Sequence, residues 1–299
     1  MGITSAKASV ADYHLIRKVK SGKFNVDHLS QYNLCFLLGK QHFKFCVIDS
    51  RSNLCLLLED YLLDIEQGFK RLNVLKKLFE NHHLLNAGFW NTVKLAVYNS
   101  KAVLVPSTLF EKDEAAQYLW LNCKIDDSED QVFYYKHHNG KMVNVFAGDR
   151  QILTWFKASY PNLNIHLLHH TSALIEGFTR QSDKTRLKSM ALFLSNNAVD
   201  VLVQENGKLL YCNQFTYESP SEFINYVMIV LDQMGMDPNM VKVQVWGNIN
   251  NQTERFKILY KYIRNISFGT RPSMLNFTFE FDEVEDYQYF DLLGMYYCE

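Results

Sequence analysis

The chain has 299 residues, of which 47% are hydrophobic, 14% aromatic and 21% charged, and this composition excludes general disorder. Lys and Arg total 31 against 32 for Asp and Glu, so the net charge of −1 provides no overall attraction to nucleic acid or to an anionic membrane. The length allows one large domain or two smaller ones, each with its own hydrophobic core.

The first residues and the cysteines bear on the compartment. The opening stretch, MGITSAKASVADYH, lacks the apolar core of about 7–15 residues that a secretory signal carries. The densest apolar run, Leu54 to Leu58, is too short to span a bilayer. The six cysteines form no C-x-x-C pair, and several lie in apolar runs where a thiol behaves as a small hydrophobe. We therefore expect a cytoplasmic protein without disulfides and without membrane insertion.

The first half begins with a polar stretch and a predicted meander. Residues 1–30 are weakly patterned and are interpreted as a polar N-terminal arm. Three apolar runs separated by short turns then predict antiparallel strands at 32–40, 42–49 and 53–61. Apolar residues at helical spacing follow between Leu63 and Leu85.

The rest of the first half alternates strands and helices. Alternating residues flank Asn139-Gly140, a dipeptide that tolerates the positive φ angles of a tight turn, so this stretch predicts a β-hairpin. The polar stretch RQSDKTR, at 180–186, is the predicted boundary between the halves. The other predicted elements are strands at 92–99, 102–106 and 162–170 and helices at 111–122, 149–159 and 171–179.

The second half repeats this order. A helix is predicted to begin at Ser219, with Pro220 in its first position and Glu222 completing a capping box, and to end at Gly235. The other predicted elements are strands at 187–195, 198–204, 208–215, 241–247 and 275–281, a helix at 252–265, and a short aromatic-rich helix near 286–296.

These patterns predict a two-lobed α/β protein. Each half has a three-strand meander followed by alternating helix and strand, which gives a mixed sheet with helices on its faces. We assign residues 31–180 to the first lobe, with an inserted subdomain near 63–140, and residues 181–299 to the second lobe.

Four motifs carry a resemblance to a known family. They are LVPSTLF (104–110), NGKLLYCNQFTYES (206–219), LYKYIRNISFGTRPS (259–273) and the terminal CE. They are similar to domain-of-unknown-function family 3822, a bacterial family. The doubled order also resembles the actin-like ATPase fold, which places two ribonuclease H-like lobes in tandem. The resemblance implies this fold and little chemistry, because the family has no established reaction.

The resemblance also implies a nucleotide cleft between the lobes. An active ATPase of this fold carries an acid and a glycine in the first turn of each lobe, and a Gly-Gly turn beside the adenosine. Here the first-lobe turn, LLGKQHF, lacks the acid; the second-lobe turn, FLSNNAV, lacks both; and WGNIN has a single glycine. We therefore expect a vestigial cleft without a catalytic residue or a metal site. Its candidate residues are Gly39, Lys40, Ser195, Asn196, Asn197, Gly247 and Asn248.

Other polar clusters are interpreted as ordinary surface features. His166, His169 and His170 have no acid or cysteine spaced to complete a zinc site, and the pairs 82–83 and 137–138 lie near strand or loop edges. The segment ERFKILYKYIRN (254–265) has the pattern of an amphipathic helix on a sheet, so no nucleic-acid partner is expected. Glu59 and Asp60 should point to opposite faces of one strand and cannot form a carboxylate dyad.

Two functions are compatible with these observations. The first is a non-catalytic binding or scaffold protein with an unidentified protein partner and no cofactor. For it, Tyr and Phe residues of segment 287–297 either contact the partner or cover the second-lobe sheet.

The second function is a divergent actin-like ATPase or kinase that binds ATP with magnesium in the cleft. It requires an acid from outside the two turns, and the candidates are Asp49 and Asp200. We expect Asp49 to cap its own turn and Asp200 to face solvent.

Overall fold

The computed structural model describes residues 12–65, 70–181 and 187–299. Its two large mixed sheets, of six and five strands, each form the centre of one lobe, and a three-stranded sheet forms a separate layer. Each of the three sheets has its own cluster of buried hydrophobic side chains.

The first lobe begins with the predicted meander. Strands β2, β3 and β4 pair antiparallel in sequence order, and β5 then pairs parallel to β2. Continuous apolar runs such as YNLCFLL form these strands because both faces of the sheet are covered. The bounds are β1 Tyr13–Lys20, β2 Tyr32–Leu38, β3 His42–Asp49, β4 Leu54–Leu63, α1 Arg71–Asn81 and β5 Thr92–Val97.

Strand β1 was not predicted, because the sequence indicated a polar arm over residues 1–30. Tyr13 to Lys20 pair antiparallel with β4 and form the outer edge of the six-stranded sheet. Most of its side chains are exposed, so the strand lacks the apolar alternation that would reveal it. Contacts with the neighbouring strand β4 hold it instead, including an ion pair of 2.8 Å between Lys18 Nζ and Glu59 Oε1.

The three-stranded sheet is an insertion, and it begins later in the chain than residue 63. Strand β5 pairs within the six-stranded sheet of the first lobe, and α1 packs on the core of that lobe. The insertion therefore lies between Val97 and Arg150. The predicted Asn139-Gly140 turn joins two of its strands, with Gly140 at φ 67°. The bounds are β6 Ala102–Pro106, α2 Ala115–Trp120, β7 Asp130–Lys136 and β8 Met142–Asp149.

Helix α3 (Arg150–Ser159), strand β9 (Ile165–His169) and helix α4 (His170–Gln181) complete the first lobe. Strand β9 pairs parallel to β5, so the sheet order is β1-β4-β3-β2-β5-β9. Helix α4 is buried along most of its length, because elements of both lobes pack on it.

The second lobe has the same strand order around its central strand, β12-β11-β10-β13-β14. The predicted helix start is confirmed: the Ser219 side chain accepts from the Glu222 N–H, and Glu222 Oε2 accepts from the Glu218 N–H at 2.8 Å. The bounds are β10 Lys188–Leu194, β11 Ala198–Glu205, β12 Lys208–Thr216, α5 Pro220–Gln233, β13 Lys242–Gly247, α6 Glu254–Tyr262 and β14 Asn265–Phe268.

The fifth strand of the second lobe lies outside the predicted segment 275–281. The short strand β14 pairs parallel to β13, whereas segment 275–281 contributes a single bridge from Asn276 to Leu54 and a 3₁₀ turn. Its alternating residues Leu275, Phe277 and Phe281 pack instead against the core of the first lobe. Phe279 belongs to the same alternation but is 78% exposed, so the alternation predicted the burial of three of its four residues and did not predict the absence of sheet pairing.

The C-terminal segment returns to the interface between the lobes. Helix α7 (Phe290–Leu293) and the following 3₁₀ turn pack on α4. Contact is close: a Cβ on Gly177 would lie 2.7 Å from the Phe290 ring, and one on Gly294 would lie 2.7 Å from the Ala173 carbonyl oxygen. Phe290 and Tyr297 are 2% exposed, so the aromatic residues cover the interior rather than forming a free contact surface.

The cysteines and helices agree with the expectations from composition. All six cysteines are unpaired. None of the helices within the described ranges has the length and apolar character needed to cross a membrane.

Candidate functional site

A cleft of about 950 Å³ lies between the two lobes, at the ends of their central strands. The turn between β2 and β3 lines one wall, and the turn between β10 and β11 lines the opposite wall together with the end of β13. The structure thus brings all seven sequence-predicted residues to one cavity. They are Gly39, Lys40, Ser195, Asn196, Asn197, Gly247 and Asn248.

Arg255 at the start of α6 holds the second-lobe wall in place. Its guanidinium donates to the carbonyl oxygens of Ser195, Asn196 and Asn248 and to the Tyr217 hydroxyl. A guanidinium has five N–H donors in a fixed plane, so one side chain can tie both turns together. The sequence placed Arg255 in a predicted amphipathic helix and did not reveal this role.

Gly247 has a structural reason to be glycine that does not involve a nucleotide. Its φ is 97°, and a Cβ at this position would lie 2.1 Å from the carbonyl oxygen of Leu194. The following residue donates from its backbone N–H to that same oxygen at 2.8 Å, and the Asn248 side chain donates to Asn196 Oδ1 at 2.8 Å. The glycine therefore lets β13 leave the sheet close to β10.

The first-lobe wall is held by Arg71 of α1. Its guanidinium donates to the Gly39 carbonyl oxygen at 3.2 Å and to Asp149 Oδ2 at 3.4 Å. Burial lowers the pKa of Arg71, and the nearby Asp149 carboxylate opposes that shift. Lys40 is exposed at the tip of the turn, where its ammonium faces the solvent.

A group of buried polar side chains lies between the two walls. Asp200 is 1% exposed and lines the cleft, so the expectation that it faces solvent is wrong. His170 Nε2 lies 3.1 Å from Asp200 Oδ1, and the Gln214 amide donates to the same oxygen at 3.1 Å. The β11 alternation could not reveal this, because both faces of the strand are buried.

Tyr98 at the end of β5 occupies the space between the lobes. Its ring stacks on the His170 ring with centroids 4.0 Å apart, and its hydroxyl is hydrogen bonded to the Ser195 side chain. Burial raises the pKa of Tyr98, and the Asp200 charge raises it further. The phenol therefore stays neutral and bridges the first lobe to the second-lobe turn.

Two further acids of the cleft lie near basic side chains. Asp291 Oδ2 lies 3.5 Å from Lys44 Nζ, and Asp60 Oδ1 lies 3.5 Å from His42 Nδ1. Burial would lower the pKa of Lys44, but the Asp291 and Asp60 charges outweigh it and raise that pKa. Burial would likewise raise the pKa of Asp60, but the contact with His42 and the Lys44 charge lower it.

Glu59 confirms that adjacent carboxylates face apart. It contacts Lys18, Tyr61 and His82 beside α1, whereas Asp60 lines the cleft. Asp49 caps its own turn as expected, since its carboxylate accepts from the Arg51 N–H and the Ser52 hydroxyl at the opposite end of β3 from the cleft turn.

Several histidines are buried, so their interpretation as surface residues is wrong. His82 and His137 pair with Glu59 and Glu176 at 3.0 and 2.9 Å. His169 and His170 are 1% and 0% exposed. Within residues 12–65, 70–181 and 187–299, no group of three or more His, Cys, Asp or Glu side chains is arranged to hold a metal ion.

This donor set does not fit magnesium-ATP. Magnesium requires carboxylate or water oxygens in octahedral geometry, whereas Asp200 and Asp291 each already face a histidine or lysine. Lys40 is the exposed cation of the two predicted turns, and a triphosphate would need several such partners.

Solved structures with the same architecture show which fold this is. A protein from Bacteroides thetaiotaomicron VPI-5482, described as having an actin-like ATPase fold and unknown function, matches with a TM-score of 0.78 at 19% identity, over 93% of this chain and 100% of that one. A chain of the PilM-PilN type IV pilus biogenesis complex matches with a TM-score of 0.58 at 12% identity, over 89% of this chain and 98% of that one. The predicted actin-like ATPase fold is confirmed.

Sequence comparison gives the family. No curated protein sequence matches the chain significantly. The sequence profile of the family described as protein of unknown function (DUF3822) matches residues 21–266, which is most of the chain. The protein therefore belongs to the DUF3822 family, whose function is unknown, and has the actin-like ATPase fold.

Proposed function

We propose that this protein is a non-catalytic binding or scaffold protein whose interlobe cleft is a relic of a nucleotide site. The observation that supports the proposal is the pairing of most of the charges that line the cleft. The pairs Lys44–Asp291, Arg71–Asp149, Lys101–Asp130 and His170–Asp200 all lie in or beside it.

This pairing opposes nucleotide binding energetically. A bound triphosphate would have to break several of these pairs before it could use their cations, and each broken pair would leave a charge without its partner in a partly buried place. Tyr98 also occupies the region between the two turns, where it contacts Ser195. The His170–Asp200 pair joins α4 to β11 of the second lobe, and Tyr98 stacks on His170, so these contacts stabilise one arrangement of the lobes, which is what a scaffold requires.

A protein partner fits this interpretation better than a small ligand or nucleic acid. The net charge of −1 gives no general attraction to polyanions. The fold also occurs in the PilM-PilN complex, whose name joins two proteins. Six unpaired cysteines support a reducing cytoplasm as the compartment.

Binding of magnesium-ATP to the purified chain tests the proposal. With a dissociation constant of 1 mM or weaker, 1 mM magnesium-ATP stabilises the protein by at most about 0.4 kcal/mol, which shifts the melting temperature by about 1 °C. We expect no larger shift for the wild type, for Lys40→Glu, or for the matched control Lys76→Glu on the exposed face of α1. Micromolar binding that Lys40→Glu weakens and Lys76→Glu leaves intact would contradict the proposal.

A divergent ATPase or kinase is the second candidate, and the burial of Asp200 in the cleft wall favours it. An acid at this place could orient a water molecule if His170 and Gln214 released it. Steady-state hydrolysis of magnesium-ATP by the wild type, abolished in Asp200→Asn and retained in Asp232→Asn, would establish this alternative.

A further inference from the structure

A second cavity, of about 670 Å³, lies beside the cleft, between the insertion and the second lobe. We call it the groove. One wall consists of Lys101 and residues 102–104 of β6 with 122–124 after α2, and the other consists of residues 212–214 of β12. Asn144 and Thr171 are among the residues that line it between these walls.

Both walls are edge strands. Strand β6 pairs with β8 alone and β12 pairs with β11 alone within their sheets. An edge strand presents a row of unpaired backbone groups, which is a template for a further strand. Here two such edges, from different sheets, line the same cavity.

The register shows which groups of β12 face outward. The Tyr217 N–H donates to the Asn197 carbonyl oxygen, so the pairs 199–215 and 201–213 are also hydrogen bonded to β11. The backbone groups of Cys212 and Gln214 therefore point away from β11. The Gln214 N–H accordingly meets the Asn213 side-chain oxygen at 2.9 Å, a contact that another acceptor can replace.

Lys124 gives the groove a positive charge that no acid of the described lining balances. Lys101 and Lys124 line it, and no Asp or Glu is among the described residues that do so. Lys101 is paired with Asp130, whereas Lys124 is exposed. This differs from the cleft, whose acids and bases balance one another.

Asn144 adds an unsatisfied acceptor. Its side chain is 1% exposed and its amide donates to Thr171 at 2.8 Å and Ser172 at 2.9 Å. Its Oδ1 is buried and has no hydrogen-bond partner among the described residues. Leaving a buried acceptor unpaired is costly, so an incoming N–H group would gain free energy there.

We propose that the groove binds an extended, acidic peptide segment of a partner protein, which pairs with the outer edge of β12. Backbone hydrogen bonds to Cys212 and Gln214 supply affinity, and Lys124 selects acidic side chains. The exposed Trp120 and Leu121, immediately before the groove residues 122–124, offer apolar contact at its rim. This inference rests on the proposed binding function and names its site and partner class.

Selection of displayed random dodecapeptides on the purified full-length chain tests the inference. We expect enriched peptides to contain an extended, proline-free stretch with several Asp or Glu residues. A fluorescent synthetic copy of the strongest one is then titrated against variants. Hydrogen exchange should show slower exchange of the Gln214 amide in the complex.

Two matched pairs of variants locate the site. Cys212→Pro removes an outward N–H at an edge, where proline is tolerated, and should weaken binding about tenfold, whereas Cys212→Ala keeps the N–H and should bind within twofold of the wild type. Lys124→Glu should weaken binding about threefold or more, whereas Lys257→Glu on α6 should not. If Cys212→Pro fails to fold, the comparison of Lys124→Glu with Lys257→Glu decides the test.

The outcomes separate the inference from the proposed function. A peptide that binds equally well to Cys212→Pro and Lys124→Glu overturns the assignment of the peptide site to the groove and leaves the proposed binding function intact. Enrichment of peptides without acidic residues, or of no peptide at all, also overturns that assignment. If the chain selects no peptide and hydrolyses magnesium-ATP, both proposals fail.

Discussion

The interlobe cleft and the groove are neighbouring cavities that differ in how their charges are paired. In the cleft, Asp200 and Asp291 lie against His170 and Lys44. In the groove, Lys124 is exposed, the described lining residues include no acid, and Asn144 has an unsatisfied oxygen. The cleft comes from the duplicated fold, whereas the groove needs the insertion between β5 and α3 as its second wall. This difference is the reason why we propose that a partner binds at the groove and not in the cleft.

The largest loss of stability is expected for a substitution in the second-lobe wall of the cleft. Gly247→Ala should destabilise the protein by about 3–5 kcal/mol, because it combines a positive φ with a Cβ that overlaps the Leu194 carbonyl oxygen. In Gly39→Ala the Cβ would lie 3.5 Å from its nearest neighbour, so that variant should lose less than about 1 kcal/mol. Urea unfolding measures both. Equal losses would mean that Gly247 is not fixed by close packing.

Acid unfolding compares the two faces of the first-lobe sheet. Asp60 lies on the face that borders the cleft, and Glu59 lies on the opposite face. Burial would raise the pKa of Glu59, but hydrogen bonds from His82, Lys18 and Tyr61 lower it from 4.5 to about 2. The folded pKa lies below the unfolded value, so this stabilisation is present above about pH 4.5 and is lost as the pH falls toward 2. The loss is up to about 3 kcal/mol.

Glu59→Gln should flatten this acid limb of the stability curve. Asp60→Asn should flatten it less, in the region below the ordinary pKa of 3.8, because the pKa of Asp60 is also lowered by its partners. Unfolding free energies measured between pH 2 and 7 test this. An unchanged slope in Glu59→Gln would contradict the assignment.

Asp200→Asn should cost about 2 kcal/mol. Oδ1 lies 3.1 Å from both His170 Nε2 and the Gln214 amide nitrogen, and Oδ2 lies 3.3 Å from the same His170 nitrogen. An asparagine can keep the first oxygen, but it loses the negative charge and turns an NH₂ group toward His170 in place of the second oxygen. The matched exposed variant, Asp232→Asn in α5, should change stability by less than about 0.5 kcal/mol. Thermal and urea unfolding of the two variants would show whether the cleft wall depends on this pair.

The smallest effect is expected at the tip of the first-lobe turn. Lys40→Glu should change stability by less than about 0.5 kcal/mol, because its ammonium is exposed. It should also leave peptide binding at the groove unchanged, which separates the two cavities functionally. A marked loss of peptide affinity in Lys40→Glu would mean that the two cavities act as one site.

Local patterns were sufficient for much of the architecture. The meanders, the Asn139-Gly140 turn and the Ser219 cap depend on nearby residues, so the sequence predicted them. The resemblance to the actin-like ATPase fold pointed to the seven cleft residues, which line one cavity. The edge strand β1 was missed because most of its side chains are exposed, and β14 was missed because its alternation extends over four residues only.

The sequence by itself determined the doubled α/β order and the lack of an acid in the two predicted turns, because both depend on residue type and spacing. Only the tertiary structure decided that Asp200 is buried, that Arg255 ties two turns together and that β6 and β12 face one cavity. These features join residues far apart in the chain, and their partners depend on how the sheets pack. Pairing and burial are properties of that packing, which no local pattern encodes.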